Sequence, residues 1–429
     1  MTAQGKQQVG FISTRICGTD GVSLEIRKWA TLFNQLHCEN HFCAGELDTD
    51  LRGLQVPEMH FQHPEIKWIH DHAFGSTEPV SGLYERIEEY AQKLQRDIAH
   101  FVKAFDLDLL VIENALAIPM NIPLGIALSR FLKESGIPAI GHHHDFYWER
   151  ERFLRNCVQD ILDLHFPPAL PNIRHVVIST PAQQSLLQRR EIESIVIPNI
   201  FDFSRAAPGI NAFNRDLRTQ LGLSDEHLII LQPTRVVRRK GIELSTELVR
   251  RLMAPELAPM LWNKKPVLLI THHAGDEGTE YLVELHRQTE ALGVQLIYAA
   301  TRFHTRAEVR GTEKIYSLWD AYVHANFVSY PSRYEGFGNA LLESIYFRLP
   351  ILVNRYDVYV ADIAPLGFDL IEIDNEITDE TVAEVVSAIM DPVRRRRMVQ
   401  YNYELANFHF SYEAVLPRIQ ALIEDLQHA

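Results

Sequence analysis

The chain's 429 residues are enough for two or three domains at roughly 150 residues each, every one able to bury its own core. Its 46% hydrophobic and 23% charged residues, with 21 Gly and 21 Pro, exclude a disordered, collagen-like or low-complexity chain. The 42 Lys and Arg against 56 Asp and Glu give a net charge of -14, which excludes a broad electrostatic grip on nucleic acid or anionic lipid and leaves only local positive sites.

The opening MTAQGKQQVGF has no apolar run of the kind that directs export, and no stretch reaches the ~18 apolar residues of a spanning helix. The nearest, Asn114 to Ser129, is interrupted by Pro119, Asn121 and Pro123 and reads as a buried turn and helix. Cys17, Cys38, Cys43 and Cys157 are too few to staple a chain of this length. A cytoplasmic protein with free thiols is expected, with neither membrane nor nucleic acid among its partners.

In chain order, Gln8 to Ile16 reads as a strand, Cys17 to Gly21 as a Gly-bearing turn, and Val22 to Leu36 as a helix with apolar residues at helical spacing. Gly18 and Gly21 permit close backbone approach, and the helix start beyond them offers N–H donors to an anion; taken alone, the pair reads more readily as a plain turn. His37, Cys38, His41 and Cys43 are ligand-like residues without a second cluster at zinc-site spacing, and are expected to be buried thiols and surface histidines. Apolar runs at Leu109 to Ile112, Ala139 to Gly141 and Val176 to Ser179, each preceded by a helical stretch, have the rhythm of a parallel sheet covered by helices on both faces.

In FLKESGIPAIGHHHD, Gly136 ends a helix, Pro138 enters a strand, and His142, His143, His144 and Asp145 fall at that strand's carboxyl end, where open α/β sheets bind ligands. Alternation along a strand lets His142 and His144 converge while His143 turns away, so two histidines and Asp145 make a conceivable metal site, although none is expected. Beyond them, Tyr147 and Trp148 are candidates to stack on a sugar and Arg150 or Arg152 to take an acidic group; a helix start packed on the core is the competing reading.

The rhythm breaks at Val196 to Phe203 (VIPNIFDF), followed by the polar linker Ser204 to Gln220, and then starts afresh. Strands are expected at Leu228 to Gln232, Val267 to Thr271, Gln295 to Tyr298, Phe327 to Tyr330 and Ile351 to Asn354, and helices at Leu244 to Leu252, Tyr281 to Leu292 and Asn339 to Phe347. Pro392 to His428 is helical with a break around Phe408 to Tyr412.

Two segments of this half carry chemistry. After the first strand comes PTRVVRRKGIE, in which Arg235 and Lys240 are placed to clamp a diphosphate; Arg238 and Arg239 are the less suited participants. Further on, Glu335, Gly336, Phe337 and Gly338 form a glycine loop leading into a helix that begins at Asn339 and carries Glu343, eight residues after Glu335. Such a loop favours a phosphate-bearing ligand, and its two carboxylates suit sugar and ribose hydroxyls.

Arg235 with Lys240 and Gly241, the E-x7-E pair Glu335 and Glu343, and the IPN of Ile197 to Asn199 together resemble the retaining nucleotide-sugar glycosyltransferases of the GT-B fold, family 4. Ile200 stands where that family has a glycine. HFSYEAV (His409 to Val415) is similar to the segment where the family's last helices cross back to the first domain. The resemblance implies an α/β chain of two doubly wound Rossmann-like domains facing across a cleft. Here they would be an acceptor domain over 1–200, with helices at about 408–429 packing on it, and a nucleotide-sugar-binding domain over 201–407.

It also implies a hexosyltransferase acting without an obligatory cofactor or metal. Its donor would be a nucleotide-sugar, UDP-glucose or GDP-mannose, and its acceptor a small, anionic molecule; a homodimer stays open. In such enzymes Arg235 and Lys240 would bind the diphosphate, Glu335 the hexose and Glu343 the ribose, and His144 would contact the donor sugar and the transferring centre. Gly18, Gly21, Gly336, Phe337, Gly338 and Asn339 would line the nucleotide-sugar, as would Gly275 in THHAGDEG, which stands at the family's glycine-rich turn. ICGTDGVSLE and HDFYWERERF look similar to enzymes that build glycosylated glycerates, a class of compatible solute. A GT-B nucleotide-sugar epimerase and a non-catalytic nucleotide-sugar-binding adaptor remain as alternatives.

Overall fold

The computed structural model describes residues 6–18, 21–274 and 278–428. They form two compact units: the first runs to Ile200 and takes up the chain again from Val415, and the second is Phe201–Ala414.

The first unit is built on seven strands: β1 (Gln8–Ile12), β2 (Glu39–Ala44), β3 (Gly53–Gln55), β4 (Leu109–Glu113), β5 (Ala139–His143), β6 (Ile173–Val177) and β7 (Ser194–Val196). All pair in parallel, in the order β3-β2-β1-β4-β5-β6-β7. Every residue of β4 and β5 is buried, as expected of central strands covered on both faces. The helix Leu83–Phe105 buries Leu83, Ile87, Ala91, Leu94, Ile98 and Phe101, a stripe at the helical period. It shares an apolar core with the helix Ile122–Ser135, whose Leu124, Ala127, Leu128 and Leu132 lie in the same cluster. Asn121 caps that second helix by accepting from the Leu124 N–H, and Gly136 closes it at φ +68°.

The second unit repeats the plan with β8 (His227–Gln232), β9 (Lys265–Ile270) and β10 (Leu296–Tyr298), then β14 (Phe327–Tyr330), β15 (Ile351–Asn354) and β16 (Ile371–Ile373). The order is β10-β9-β8-β14-β15-β16, again all parallel. Between β10 and β14 lies a small sheet of β11 (Phe303–His304), β12 (Glu308–Arg310) and β13 (Glu313–Ser317), which apolar periodicity does not announce because β12 is wholly exposed. The C-terminal helices are Pro392–Phe410 and Tyr412–His428, separated at Ser411, which pairs with Phe201 in an isolated bridge. Among the described residues no helix is long and apolar enough to cross a membrane, and all four cysteines are free.

In each sheet the strand order reverses once, between β1 and β4 in the first unit and between β8 and β14 in the second. At such a reversal the loops leaving neighbouring strands part in opposite directions and open a crevice at the carboxyl ends. The loops after β8 and β14 carry the PTRVVRRKGIE and glycine-loop motifs, the loop after β1 carries Gly18, and the histidine cluster lies one strand beyond the first reversal, at the end of β5.

Candidate active site

In the second unit the loops after β8 and β14 are drawn together by backbone as much as by side chains. Lys240 ends a single 3₁₀ turn, Arg238–Lys240, and Gly241 follows at φ +60°. A Cβ on Gly241 would sit 2.4 Å from the Pro331 carbonyl oxygen, so only glycine allows this approach. The Arg333 N–H donates to the Arg239 carbonyl at 2.8 Å, tying one loop to the other.

This apposition seats Lys240 against Glu335 in a salt bridge with both side chains about nine-tenths buried. Burial by itself would raise the Glu335 carboxyl, but Lys240, the Tyr330 hydroxyl and Arg239 hold it below its ordinary value. Burial, with Arg239 and Arg235 nearby, lowers the Lys240 ammonium. Arg239, set aside in the sequence reading, lies 3.8 Å from Glu335, whereas Arg238 pairs with Glu284 at 2.6 Å. Arg235 is exposed on the same loop. His272, at the end of β9, is pushed down to about 4 by burial and by Lys240 and Arg235, so it is a neutral imidazole beside a cationic loop.

The glycine loop is locked from behind. The Tyr356 hydroxyl donates to the Phe337 carbonyl at 2.7 Å, and a Cβ on Gly338, whose φ is +125°, would come within 2.7 Å of that hydroxyl. The Phe337 side chain is 2% exposed and packs edge-on against Phe410, which leaves the backbone of Phe337 as the part that can face a ligand. Gly336 and Asn339 are half-buried, and Asn339 opens the helix Asn339–Tyr346. On that helix Glu343 accepts from the Tyr322 hydroxyl at 2.7 Å, which fixes its carboxylate. Gly275 lies outside the described residues.

In the first unit β4 and β5 run side by side with Glu113 in register with His142. Glu113 is fully buried, and its Oε2 lies 3.0 Å from His142 Nδ1 and 3.2 Å from His144 Nε2. These three residues bring potential metal-ligand atoms within 4.8 Å of one another. Burial would raise Glu113, yet the two imidazoles hold it at about 2; burial would lower His144, and the Glu113 carboxylate raises it instead. Asn114, at φ +59°, accepts from the His144 N–H at 3.1 Å. His143 turns to the other face and meets His175 at 2.9 Å.

Asp145 does not join His142 and His144 as the sequence reading allowed; it takes Asn114 Nδ2 at 3.1 Å and the Arg150 guanidinium. Tyr147 and Trp148 are core residues and not a sugar platform: Trp148 stacks on Phe146 at 4.5 Å and donates to Ser185. His41 is likewise buried, bonded to Gln8 at 2.7 Å, where a surface histidine was expected. Gly18 keeps an αL turn at φ +77°, but its N–H is directed to Asp48 Oδ1 at 3.4 Å, and Asp48 is itself held by Arg27. Gly21 is the first residue of the helix Gly21–Gln35.

Two parallel sheets, each with motif-bearing loops at the carboxyl ends of its central strands, one set cationic and glycine-rich, are the frame of a GT-B glycosyltransferase. Residues 213–405 match the family described as Glycosyl transferases group 1. The chain is 33% identical over 381 residues to the mannosylglucosylglycerate synthase of Petrotoga mobilis, covering 85% of this chain and 86% of that protein. It is also 33% identical over 419 residues to the one from Thermotoga maritima, covering 92% and 94%. The fold is similar to that of Anabaena HepE in complex with UDP and glucose, with a TM-score of 0.63 at 14% identity over 97% of this chain and 99% of that one. The chain belongs to the group 1 glycosyltransferases and is a glycosyltransferase of the GT-B fold.

Proposed function

We propose that the protein moves a hexose, with retention of anomeric configuration, from a nucleotide diphosphate sugar to a hydroxyl of a small anionic acceptor. The observation that carries this reading is the buried Lys240–Glu335 pair at the sheet reversal, with Arg235 and Arg239 beside it. The arrangement presents cations to a diphosphate and a desolvated carboxylate to sugar hydroxyls, and dry surroundings strengthen both interactions. Glu343, oriented by Tyr322, would take the ribose diol.

Lys240 and Arg235 would stabilise the negative charge that gathers on the leaving diphosphate. The diphosphate oxygen, on the same face as the incoming hydroxyl, would accept that hydroxyl's proton while the C–O bond to the anomeric carbon forms. His144, held by Glu113 and Asn114, would contact the donor sugar. The names of the two relatives favour GDP-mannose as donor and glucosylglycerate as acceptor, with UDP-glucose as the second donor to test.

The test crosses GDP-mannose, UDP-glucose and ADP-glucose with glucosylglycerate, glycerate, phosphoglycerate and simple sugars, following nucleotide release and product mass, with the anomeric configuration read by NMR. A condensed α-linked product is expected. Conversion of a donor with no acceptor present would mean an epimerase, and bound donors without any turnover would mean an adaptor; either overturns the reading.

A further inference from the structure

We propose that Glu113, His142 and His144 form a binding site for a divalent transition metal of the zinc type in the first unit. The proposal goes beyond the transferase reading and stands on the geometry of β4 and β5 alone. Parallel register sets Glu113 beside His142, and alternation brings His144, two residues on, to the same face. The distances from Glu113 Oε2 to the two imidazole nitrogens, 3.0 and 3.2 Å, are close to the edge of a tetrahedron with metal–ligand bonds of about 2.0–2.1 Å.

A second observation points to a ligand. His142 is 1% exposed, and neither of its ring nitrogens has a hydrogen-bond partner: Nδ1 is near Glu113 but not aligned for a hydrogen bond. The other carboxylate oxygen of Glu113, Oε1, is equally buried and equally without a partner. A buried imidazole nitrogen left unmatched is costly, and a metal between Glu113 Oε2, His142 Nδ1 and His144 Nε2 would take up that Nδ1.

The surroundings hold these residues in place. The His142 ring is stacked on Trp29 at 4.1 Å, the Ser13 hydroxyl donates to the Glu113 carbonyl at 3.1 Å, and Asn114 holds the His144 backbone. Three protein ligands leave a fourth position open, and the His144 side chain, 11% exposed, marks the side from which it is reached. An oxygen ligand fits there, a water or the carboxylate of an anionic acceptor.

The test strips the full chain with chelator and titrates it with Co²⁺, whose visible bands report coordination number. One equivalent per chain with the intense bands of a four-coordinate site is expected, displaced by Zn²⁺. His142→Ala and Glu113→Gln should each weaken binding by at least about 100-fold, since even the loss of a supporting partner costs 10–100-fold. Their nucleotide affinity, a property of the second unit, should be unchanged and shows that they fold. Should either variant fail to fold, Zn²⁺-edge X-ray absorption on the wild-type protein decides, with two imidazoles in the coordination shell expected. Wild-type protein that binds no Co²⁺, shows only the weak bands of a six-coordinate surface ion, or binds as the variants do overturns the proposal.

Discussion

Replacing Lys240 by Met separates what the buried ion pair does for folding from what it does for transfer. Lys240 and Glu335 are 7% and 8% exposed, so removing the ammonium strands a carboxylate in a dry site. Breaking a buried pair from one side costs about 3–5 kcal/mol. Arg239, 3.8 Å from Glu335, and the Tyr330 hydroxyl compensate in part and favour the lower end, about 3 kcal/mol. For a unit of this size that lowers Tm by roughly 6–12 °C. The double variant Lys240→Met/Glu335→Gln removes the stranded charge as well and should regain stability to within about 1 kcal/mol of wild type. Scanning calorimetry without ligand reads the stability of all three proteins, and kcat/KM reads transfer, which should stay crippled in both variants. A Lys240→Met protein that melts like wild type, or a double variant no more stable than the single, would refute the picture of a desolvated pair.

Glu343→Gln removes a charge-assisted bond to the ribose and should raise KM for the nucleotide sugar roughly 10–100-fold with kcat little changed, as steady-state kinetics will show. His144→Ala should lower transfer by at least about 100-fold while nucleotide affinity by calorimetry survives; lost affinity instead would misplace His144. His272 is neutral near pH 6 because burial, Lys240 and Arg235 hold it at about 4. A bound diphosphate should raise it, so binding at pH 5.5 should take up protons, seen as a buffer-dependent heat that His272→Gln abolishes. His165, 7% exposed, is pushed down to about 4 by burial with Arg130 nearby. The unfolded chain then binds this proton first, so His165 contributes about 2–3 kcal/mol of the stability lost as pH drops from 6.5 to 4. Denaturant melts of His165→Leu should show an acid loss smaller by that amount.

Much of the site was legible because strand, loop and helix are consecutive in an α/β unit. The run from Phe327 to Asn354 contains β14, the glycine loop, the helix with Glu343, and β15, and its apolar, glycine and acidic residues announce each in turn. PTRVVRRKGIE is read in the same way as the exit from β8. The reading failed where a side chain's fate depends on distant partners. Trp148 and Tyr147 look like a sugar platform until the core formed with Ile118, Phe153 and Leu186 claims them. Glu113 passes unnoticed as the last residue of an apolar strand, and only the pairing of β4 with β5 sets it between two histidines. Arg239 looked like one of a solvated run until the turn at Gly241 aimed it at Glu335.

By itself, then, the sequence determined the local grammar of this protein: parallel strands as continuous apolar runs, glycine where the backbone must turn or be approached, and carboxylates at helical spacing beyond a glycine loop. Those choices are written in contiguous residues, because propensity, periodicity and turn chemistry act over a few positions. Tertiary structure alone decided which loops became neighbours. Strand order is a long-range outcome of burying both faces of each sheet, and it brought Lys240 to Glu335 and Glu113 to His142 and His144. Charge and ligand geometry at both places follow from that order, since an ionised group takes its properties from what burial removes and what the nearest charge restores.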